Sequence, residues 1–401
     1  MQMKRETLAI HGGSPVRDSL LSYGRQWISE ADIQAVMETL RSPFLTQGPK
    51  IAEFESKIAE TAGAKYAVAF SNGTAALHGA CYAAGIGEGD EVITTSMTFA
   101  ASANCVRYCG GTVVFADILA DEYNIDPEQI RAKITKQTKA IIPVDFTGQP
   151  VDLDEIMQIA REHNLVVIED AAHSLGASYR NKPVGSIADM TMFSFHPVKH
   201  ITTGEGGIIV TNSEEYYQRL LLFRSHGITR SAALLEKEAE GPWYYEMLDL
   251  GYNYRMTDMQ AVLGVSQLSR LPEFVARRRE IAARYNHHFA GHRLVVAPQQ
   301  REDRESSWHL YVIQLELDKL NATRSEIYRA LQAENIGVNV HYIPVHLHPY
   351  YQKLGYQRGD CPVAEKLYER ILTLPLFPAM SEQDILDVLQ AVDKVLAAYE
   401  K

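Results

Sequence analysis

Residues 190–211 read MTMFSFHPVKHITTGEGGIIVT and place a single lysine between two apolar runs. The runs Met190–Phe195 and Gly207–Thr211 predict two buried strands, so Lys199 lies in the loop that joins them. An ammonium group near an apolar core loses solvation, which lowers the lysine pKa and frees the amine to attack a carbonyl carbon. The segment therefore predicts a lysine that forms a Schiff base, although a surface lysine on a glycine turn is an alternative.

Five further apolar runs precede this segment, and helix-like stretches lie between several of them. The candidate strands are Tyr66–Phe70, Glu91–Thr95, Thr112–Phe115, Ala140–Val144 and Leu165–Glu169. The candidate helices are Thr74–Ala84, Asp126–Ile134 and Leu153–Glu162. This alternation predicts an α/β domain with a largely parallel sheet, whose ligands bind on loops at the strand ends.

A helical pattern over Thr257–Arg270, followed by a second one from Pro272, predicts a connection into another unit. Beyond it, the segments HLYVIQLEL, NIGVNVHYIPV and DILDVLQAVDKVLAAY indicate mixed strands and helices. We predict a large domain over residues 1–270, whose N-terminal segment lines the substrate site, and a small α+β domain over residues 271–401.

Bulk composition excludes several function classes. The chain has 401 residues and a formal net charge of −11, which does not favour nucleic acid as a partner. No apolar run approaches the length of a membrane span, and the N-terminus lacks a signal-peptide core, so we expect a cytoplasmic protein. Four cysteines and the three histidines of HYIPVHLH match no zinc-site spacing, so we predict no metal site.

The stretch AVAFSNGTAALHGA, residues 67–80, predicts a strand, a tight turn and a helix. Gly73 lets the backbone approach a ligand closely, and Thr74 lies at the helix start, where free N–H groups favour an anion. This turn is a candidate phosphate cup, and an ordinary capped helix is the alternative.

The stretch LVVIEDAAHSLGASY, residues 165–179, places Asp170 at the end of an apolar strand and His173 three residues later. An aspartate facing a protonated pyridine nitrogen is the partner that pyridoxal phosphate requires as an electron sink. A helix-capping aspartate beside a surface histidine is the alternative. Ser194, at the end of the strand before Lys199, is a further candidate phosphate ligand. Together, the cup, the aspartate and the lysine predict a pyridoxal 5′-phosphate site.

These segments, with TFAASAN at residues 98–104 and GYNYRMTDMQAVLGVSQL at residues 251–268, resemble the DegT-type nucleotide-sugar aminotransferases over nearly the whole chain. The resemblance implies a fold-type I pyridoxal phosphate transferase. Its large domain would hold a mixed, mostly parallel seven-stranded sheet, and its smaller C-terminal domain would be α+β. It also implies that pyridoxal 5′-phosphate is bound covalently to Lys199.

The same resemblance implies roles for further residues. Asp170 would meet the pyridine nitrogen, His173 would lie near the ring, and Phe99 would stack on it. The phosphate would be held by Gly73, Thr74 and Ser194, helped by Asn253 from the partner subunit of an obligate homodimer. The residues facing the sugar nucleotide would be Tyr23, Phe44, Leu45, Thr46, His341 and Tyr342.

Five segments, including YGRQWISEADI and NVHYIPVHLHPYY, are similar to one branch of the family in particular. That branch transfers the amino group of L-glutamate to C4 of a UDP-linked 4-keto-6-deoxy-N-acetyl sugar, on the route to pseudaminic acid. Arg224, Arg230 and Arg255 are candidates for binding carboxylates or the pyrophosphate, with a plain surface role as the alternative.

The sequence also bears on three other functions. A sugar dehydratase of the same fold would carry histidine in place of Lys199. An aminotransferase for another 3- or 4-keto nucleotide sugar would keep every cofactor residue. A non-catalytic ligand-binding regulator would keep the fold.

Overall fold

The computed structural model describes residues 7–401. The first six residues lie outside the described part. They belong to the predicted large domain and to the N-terminal stretch on which the cytoplasmic prediction partly rests.

Fifteen strands lie in residues 7–401. They are β1 (Tyr66–Phe70), β2 (Glu91–Thr95), β3 (Thr112–Ala116), β4 (Thr138–Ile142), β5 (Val166–Asp170), β6 (Ser178–Tyr179), β7 (Lys182–Pro183), β8 (Met190–Ser194), β9 (Gly207–Thr211), β10 (Ile228–Thr229), β11 (Glu246–Met247), β12 (Val295–Val296), β13 (Arg304–Glu305), β14 (Tyr311–Leu315) and β15 (Ile371–Leu374).

Thirteen α-helices lie in the same range. They are α1 (Glu30–Leu40), α2 (Pro49–Ala62), α3 (Gly73–Ala83), α4 (Ala101–Tyr108), α5 (Pro127–Lys133), α6 (Leu153–His163), α7 (Glu214–Arg224), α8 (Asp258–Leu268), α9 (Leu271–Phe289), α10 (Arg324–Ala333), α11 (Pro349–Gln352), α12 (Pro362–Arg370) and α13 (Glu382–Tyr399). Across the described residues, none of these helices is both long and apolar enough to cross a membrane.

Seven strands form the central sheet in the order β1-β9-β8-β5-β4-β2-β3. Strands β8, β5, β4, β2 and β3 pair in parallel, whereas β9 runs antiparallel to both of its neighbours. The predicted mixed, mostly parallel sheet is therefore confirmed, and all seven predicted strands are present. Because the parallel strands point the same way, their carboxyl ends meet at one edge of the sheet.

The sheet strands are nearly continuous apolar runs because helices cover both of their faces. Residues Val68, Ile93, Ile141, Val167 and Ile209 are fully buried. At roughly 25 cal/mol per Å², burial of such a side chain stabilises the fold by about 1.5–3 kcal/mol. This rigid core holds the loops at the strand ends in place.

The C-terminal part of the chain builds a second core around the antiparallel sheet β12-β14-β15, with α9, α10 and α13 packed on it. The N-terminal segment joins this core, because Leu8 and Leu21 are buried in it. The Glu334 carboxylate accepts backbone N–H groups of Ala9 and Val16, both at 2.9 Å. The N-terminal residues therefore pack with the C-terminal core, and the boundary predicted at residue 270 stays a prediction.

Candidate active site

The candidate site lies where the carboxyl ends of β5 and β8 approach the N-terminus of α3. A cavity of about 730 Å³ opens there, within the size range of ligand pockets. Ten of the residues predicted from the sequence line it, namely Tyr23, Gly73, Thr74, Phe99, Asp170, His173, Ser194, Lys199, His341 and Tyr342. The topology thus brings most of the predicted site together.

Lys199 lies five residues after the end of β8, and its half-buried side chain lines the cavity. Its Nζ lies 3.4 Å from Nε2 of His309. Burial lowers the pKa of the amine to about 7, the Asp170 carboxylate opposes this shift, and the Arg278 guanidinium adds to it. A near-neutral pKa leaves much of the amine uncharged and nucleophilic at physiological pH.

Asp170 ends β5 and is buried. Its Oδ2 accepts a hydrogen bond from the Ser102 hydroxyl at 2.6 Å, and its Oδ1 accepts the Ala172 N–H at 3.2 Å. Burial raises the pKa of this carboxyl, while the Ser102 bond and the Lys199 charge hold the pKa down. A cationic ring nitrogen beside the carboxyl would favour its ionised form further. The carboxyl group that we predict to pair with a protonated pyridine nitrogen therefore lines the cavity.

The anion cradle is formed by the first turn of α3 and the ends of β8 and β9. Asn72 caps the helix by accepting the Ala75 N–H at 2.9 Å, so the side chain satisfies one of the four free donors of the first turn. A Cβ added at Gly207 would lie 2.6 Å from the carbonyl carbon of Asn72 and 2.7 Å from Cα of Gly73. Glycine at 207 thus keeps the cradle free, and the donors suit a phosphate.

Histidine and tyrosine side chains also line the cavity. The Tyr342 hydroxyl lies 3.2 Å from Nε2 of His173, and Nδ1 of His341 lies 2.9 Å from the Thr373 hydroxyl. Burial lowers the pKa of His341 to about 3 and lowers that of His173 well below its usual value. These imidazoles are therefore neutral, and they present polar groups to a ligand without adding positive charge.

Four predicted site residues lie outside this cavity in a single chain. Phe44, Leu45 and Thr46 are exposed, and Phe44 lines a separate groove of about 520 Å³. Asn253 is also exposed and forms a β-bridge with Ser225. The roles of these four residues stay predictions, and exposure of Asn253 is compatible with action on a partner subunit.

The three candidate arginines also lie outside the cavity. Arg224 is held within the chain, because its guanidinium pairs with Glu55 and donates to the Ala69 carbonyl at 2.8 Å. Arg224 therefore has a structural role. Arg230 and Arg255 stay candidates.

Sequence reasoning missed three residues that act around the site. Ser102 hydrogen-bonds to Asp170, His309 contacts Lys199, and the buried Arg278 lies close enough to lower the pKa of Lys199. Ser102 follows Phe99 within TFAASAN, so the position of a hydroxyl one helical turn later was a usable signal. His309 and Arg278 lie in the C-terminal half, where no local pattern indicates a site.

Comparison with known proteins agrees with this geometry. Over 382 residues, 95% of this chain and 98% of the other, the chain is 45% identical to the spore coat polysaccharide biosynthesis protein SpsC of Bacillus subtilis. It is 37% identical over 387 residues, 95% and 99% of the two chains, to the UDP-4-amino-4,6-dideoxy-N-acetyl-beta-L-altrosamine transaminase of Campylobacter jejuni.

A solved structure and a family model agree as well. Helicobacter pylori PseC, an aminotransferase involved in the biosynthesis of pseudaminic acid, superposes with a TM-score of 0.88 at 32% identity, covering 95% of this chain and all of that one. The family model matches residues 26–393. The chain belongs to the DegT/DnrJ/EryC1/StrS aminotransferase family.

Proposed function

We propose that this protein transfers the amino group of L-glutamate to C4 of a UDP-linked 4-keto-6-deoxy-N-acetylhexosamine. The products would be a UDP-4-amino-4,6-dideoxy sugar and 2-oxoglutarate, as in pseudaminic acid biosynthesis. The observation that carries the amino-transfer chemistry is the Lys199 amine, with a pKa of about 7, in one cavity with Asp170 and the α3 cradle. The similarity to the Campylobacter and Helicobacter proteins supports the choice of sugar.

Pyridoxal 5′-phosphate is the cofactor. When bound, it withdraws electrons from the reacting carbon and so stabilises the negative charge that develops there. The donors present fit this group. The cradle formed by Gly73, Thr74 and Ser194 would hold the phosphate, and Asp170 would pair with the ring nitrogen. Phe99, which is 61% exposed at the rim of the cavity, would cover the ring.

Each residue of the site would have its own role in the amino transfer. Lys199 would bind the cofactor and, once released, move a proton at Nζ to and from the reacting carbon. Asp170, oriented by Ser102, would keep the ring nitrogen protonated. His341 and Tyr342 would face the sugar and help to exclude water from the reacting carbon.

The depressed pKa of Lys199 makes a testable prediction. At pH 7 about half of such an amine is neutral, compared with about 0.04% of an ordinary lysine. Capture of added pyridoxal phosphate by ligand-free protein should therefore fall about tenfold per pH unit below pH 7 and level off above pH 8. Stopped-flow measurement of the visible absorbance would give this profile. Nα-acetyl-lysine is the control, and the rate at which it captures pyridoxal phosphate should keep rising up to about pH 10. A protein profile that also rises to pH 10 would contradict the assignment.

The role of Asn253 can be tested in mixed dimers. We propose that Asn253 reaches the phosphate in the partner subunit of a homodimer. Lys199→Ala and Asn253→Asp chains would each be inactive alone, since the second places a carboxylate against the phosphate. When the two chains are co-expressed, half of the dimers are mixed and hold one intact site, so about a quarter of the sites should recover. No recovery in isolated mixed dimers would show that Asn253 acts within its own chain.

The sugar assignment is tested by offering UDP-linked 3-keto and 4-keto sugars with L-glutamate and identifying the aminated carbon and its stereochemistry by NMR. We expect the 4-keto-6-deoxy-N-acetylhexosamine to react at C4. A second candidate is another 3- or 4-keto nucleotide sugar, and the 45% identity to the spore coat polysaccharide protein favours including it. Turnover of a 3-keto sugar alone would replace the first proposal by the second.

A further inference from the structure

His309 is a buried histidine that contacts the amine of Lys199 from outside the segments that form the sheet edge. It precedes β14, and only 4% of it is exposed. Its Nε2 lies 3.4 Å from Nζ of Lys199, and its ring centroid lies 4.4 Å from that of His173. Its Nδ1 is buried without a hydrogen-bond partner among the described residues. The imidazole therefore makes its one polar side-chain contact with the lysine.

The backbone around His309 is fixed to several loops of the site. Ser307 donates its N–H to the Gly148 carbonyl at 3.1 Å and its hydroxyl to the His173 carbonyl at 2.9 Å. The N–H of Leu310 donates to the Thr147 carbonyl at 3.2 Å. These hydrogen bonds hold the backbone on both sides of His309, so the imidazole has little freedom to change its position.

A buried arginine fixes the same segment from the other side. Nη1 of Arg278 donates to the carbonyls of Trp308, His309 and Leu376 at 3.3, 3.1 and 3.0 Å. Within residues 7–401, no carboxylate pairs with this guanidinium. Its hydrogen bonds therefore go to backbone carbonyl groups, and they tie the segment before β14 to the chain after β15.

We propose that His309 is a positioning residue whose Nε2 accepts a hydrogen bond from Nζ of Lys199 whenever that amine is not bonded to the cofactor. This inference rests on the proposed function, since only an amine that is released during turnover needs to be held. A free lysine side chain has four rotatable bonds, and the half-buried Lys199 lines a cavity that leaves it room to move. The imidazole supplies a fixed acceptor, so the amine stays beside the reacting carbon.

The charge of Lys199 depends on groups from several elements around it. Asp170 at the end of β5 favours the ammonium, whereas Arg278 on α9 disfavours it. Burial keeps the pKa of the surrounding imidazoles well below the usual range, so they face the amine as neutral groups; these are His173, His200, His309 and His341.

The first test measures the pH at which the Lys199 amine becomes reactive in the ligand-free protein. Pulses of acetic anhydride at different pH values, followed by peptide mass spectrometry, give the midpoint at which Nζ becomes reactive. His309→Leu should lower this midpoint by about one pH unit, because the ammonium loses a charge-assisted acceptor. His309→Gln keeps an acceptor of similar reach and should stay within about 0.3 pH units of the unmodified protein.

The matched control is His346→Gln. His346 is also buried but pairs with Glu365 at 2.9 Å and does not line the cavity, so this variant should leave the midpoint unchanged. If His309→Leu does not fold, His309→Asn replaces it, because the shorter side chain is still polar but cannot reach Nζ. An unchanged midpoint in His309→Leu, or equal shifts in the leucine and glutamine variants, would overturn the proposal.

The second test separates positioning from substrate binding in the holoenzyme. With L-glutamate as donor, His309→Leu should lower kcat by about 10- to 100-fold while KM changes less than about twofold, and His309→Gln should restore most of kcat. A change confined to KM would also overturn the proposal. The labelling test uses no sugar, so it can support the role of His309 even if the sugar assignment is wrong. Conversely, if the labelling test contradicts the role of His309, the sugar assay can still support the proposed substrate.

Discussion

Replacing Lys199 with alanine is expected to reduce amino transfer by on the order of 10⁴-fold or more, because one side chain both binds the cofactor and moves the proton. The protein should still fold, since the replaced amine is half-buried beside an open cavity. The visible absorbance of the lysine-bound cofactor should be absent as well. Steady-state rates with L-glutamate, together with absorbance spectra and circular dichroism, measure all three.

Two control variants accompany this prediction. One tests whether a positive charge at position 199 is sufficient for activity, and the other tests whether loss of a lysine outside the cavity lowers activity. Lys199→Arg keeps a cation at this position but cannot form the bond to the cofactor, so it should be as inactive as the alanine variant. Lys394→Ala removes a buried lysine that pairs with Glu334 at 2.8 Å and does not line the cavity. It should lower stability by about 3–5 kcal/mol and leave the activity of each folded molecule unchanged. More than about 1% residual activity in either Lys199 variant would contradict the assigned role.

Replacing Asp170 with asparagine is expected to lower kcat by about 10²- to 10³-fold while the fold stays intact. Asparagine keeps the shape of the side chain and can still accept the Ser102 hydrogen bond. It cannot stabilise a protonated ring nitrogen, so the ring withdraws fewer electrons. Because burial raises the pKa of Asp170, the neutral amide removes a desolvated charge. The ligand-free variant should therefore unfold at the same or a higher temperature.

The control for this variant is Asp117→Asn, which also removes a buried carboxylate that accepts backbone N–H groups. Asp117 accepts those of Val363 and Ala364 at 2.8 and 2.9 Å, at the start of α12 and outside the cavity. This variant should lose stability without losing turnover. Normal rates in Asp170→Asn, or an equal loss in both variants, would contradict the specific role of Asp170.

The sequence was sufficient to predict the sheet and the residues at its edge. Apolar runs bounded by turns predict strands, and parallel strands bring their carboxyl ends together whatever the spacing along the chain. Gly73, Asp170 and Lys199 therefore had to lie near one another once the strand–helix alternation was recognised. Tyr23 and Tyr342 were predicted only from the resemblance to a family, because no local pattern marks either of them.

The rest of the site depends on contacts that no local pattern encodes. His309 lies 110 positions from Lys199. Its carbonyl accepts a hydrogen bond from Arg278, and the N–H of the neighbouring Leu310 donates to Thr147. The roles predicted for Phe44 and Asn253 cannot be assessed within one chain, because both residues are on its surface. Long-range packing and intermolecular contact thus account for most of what sequence reasoning missed or left open.

The packing of the N-terminal segment into the C-terminal core has a consequence for biosynthesis. The hydrogen bond from Ala9 to Glu334 spans 325 positions, and Leu21 bonds to Asn335 and Gly337 nearby. These contacts cannot form until translation, at roughly 5–20 residues per second, has passed residue 337. Residues 8–21 must therefore stay without these partners until residues 334–337 have been synthesised. Because Tyr23 follows that segment directly, the active-site cavity is completed only after residues 334–337 have been synthesised.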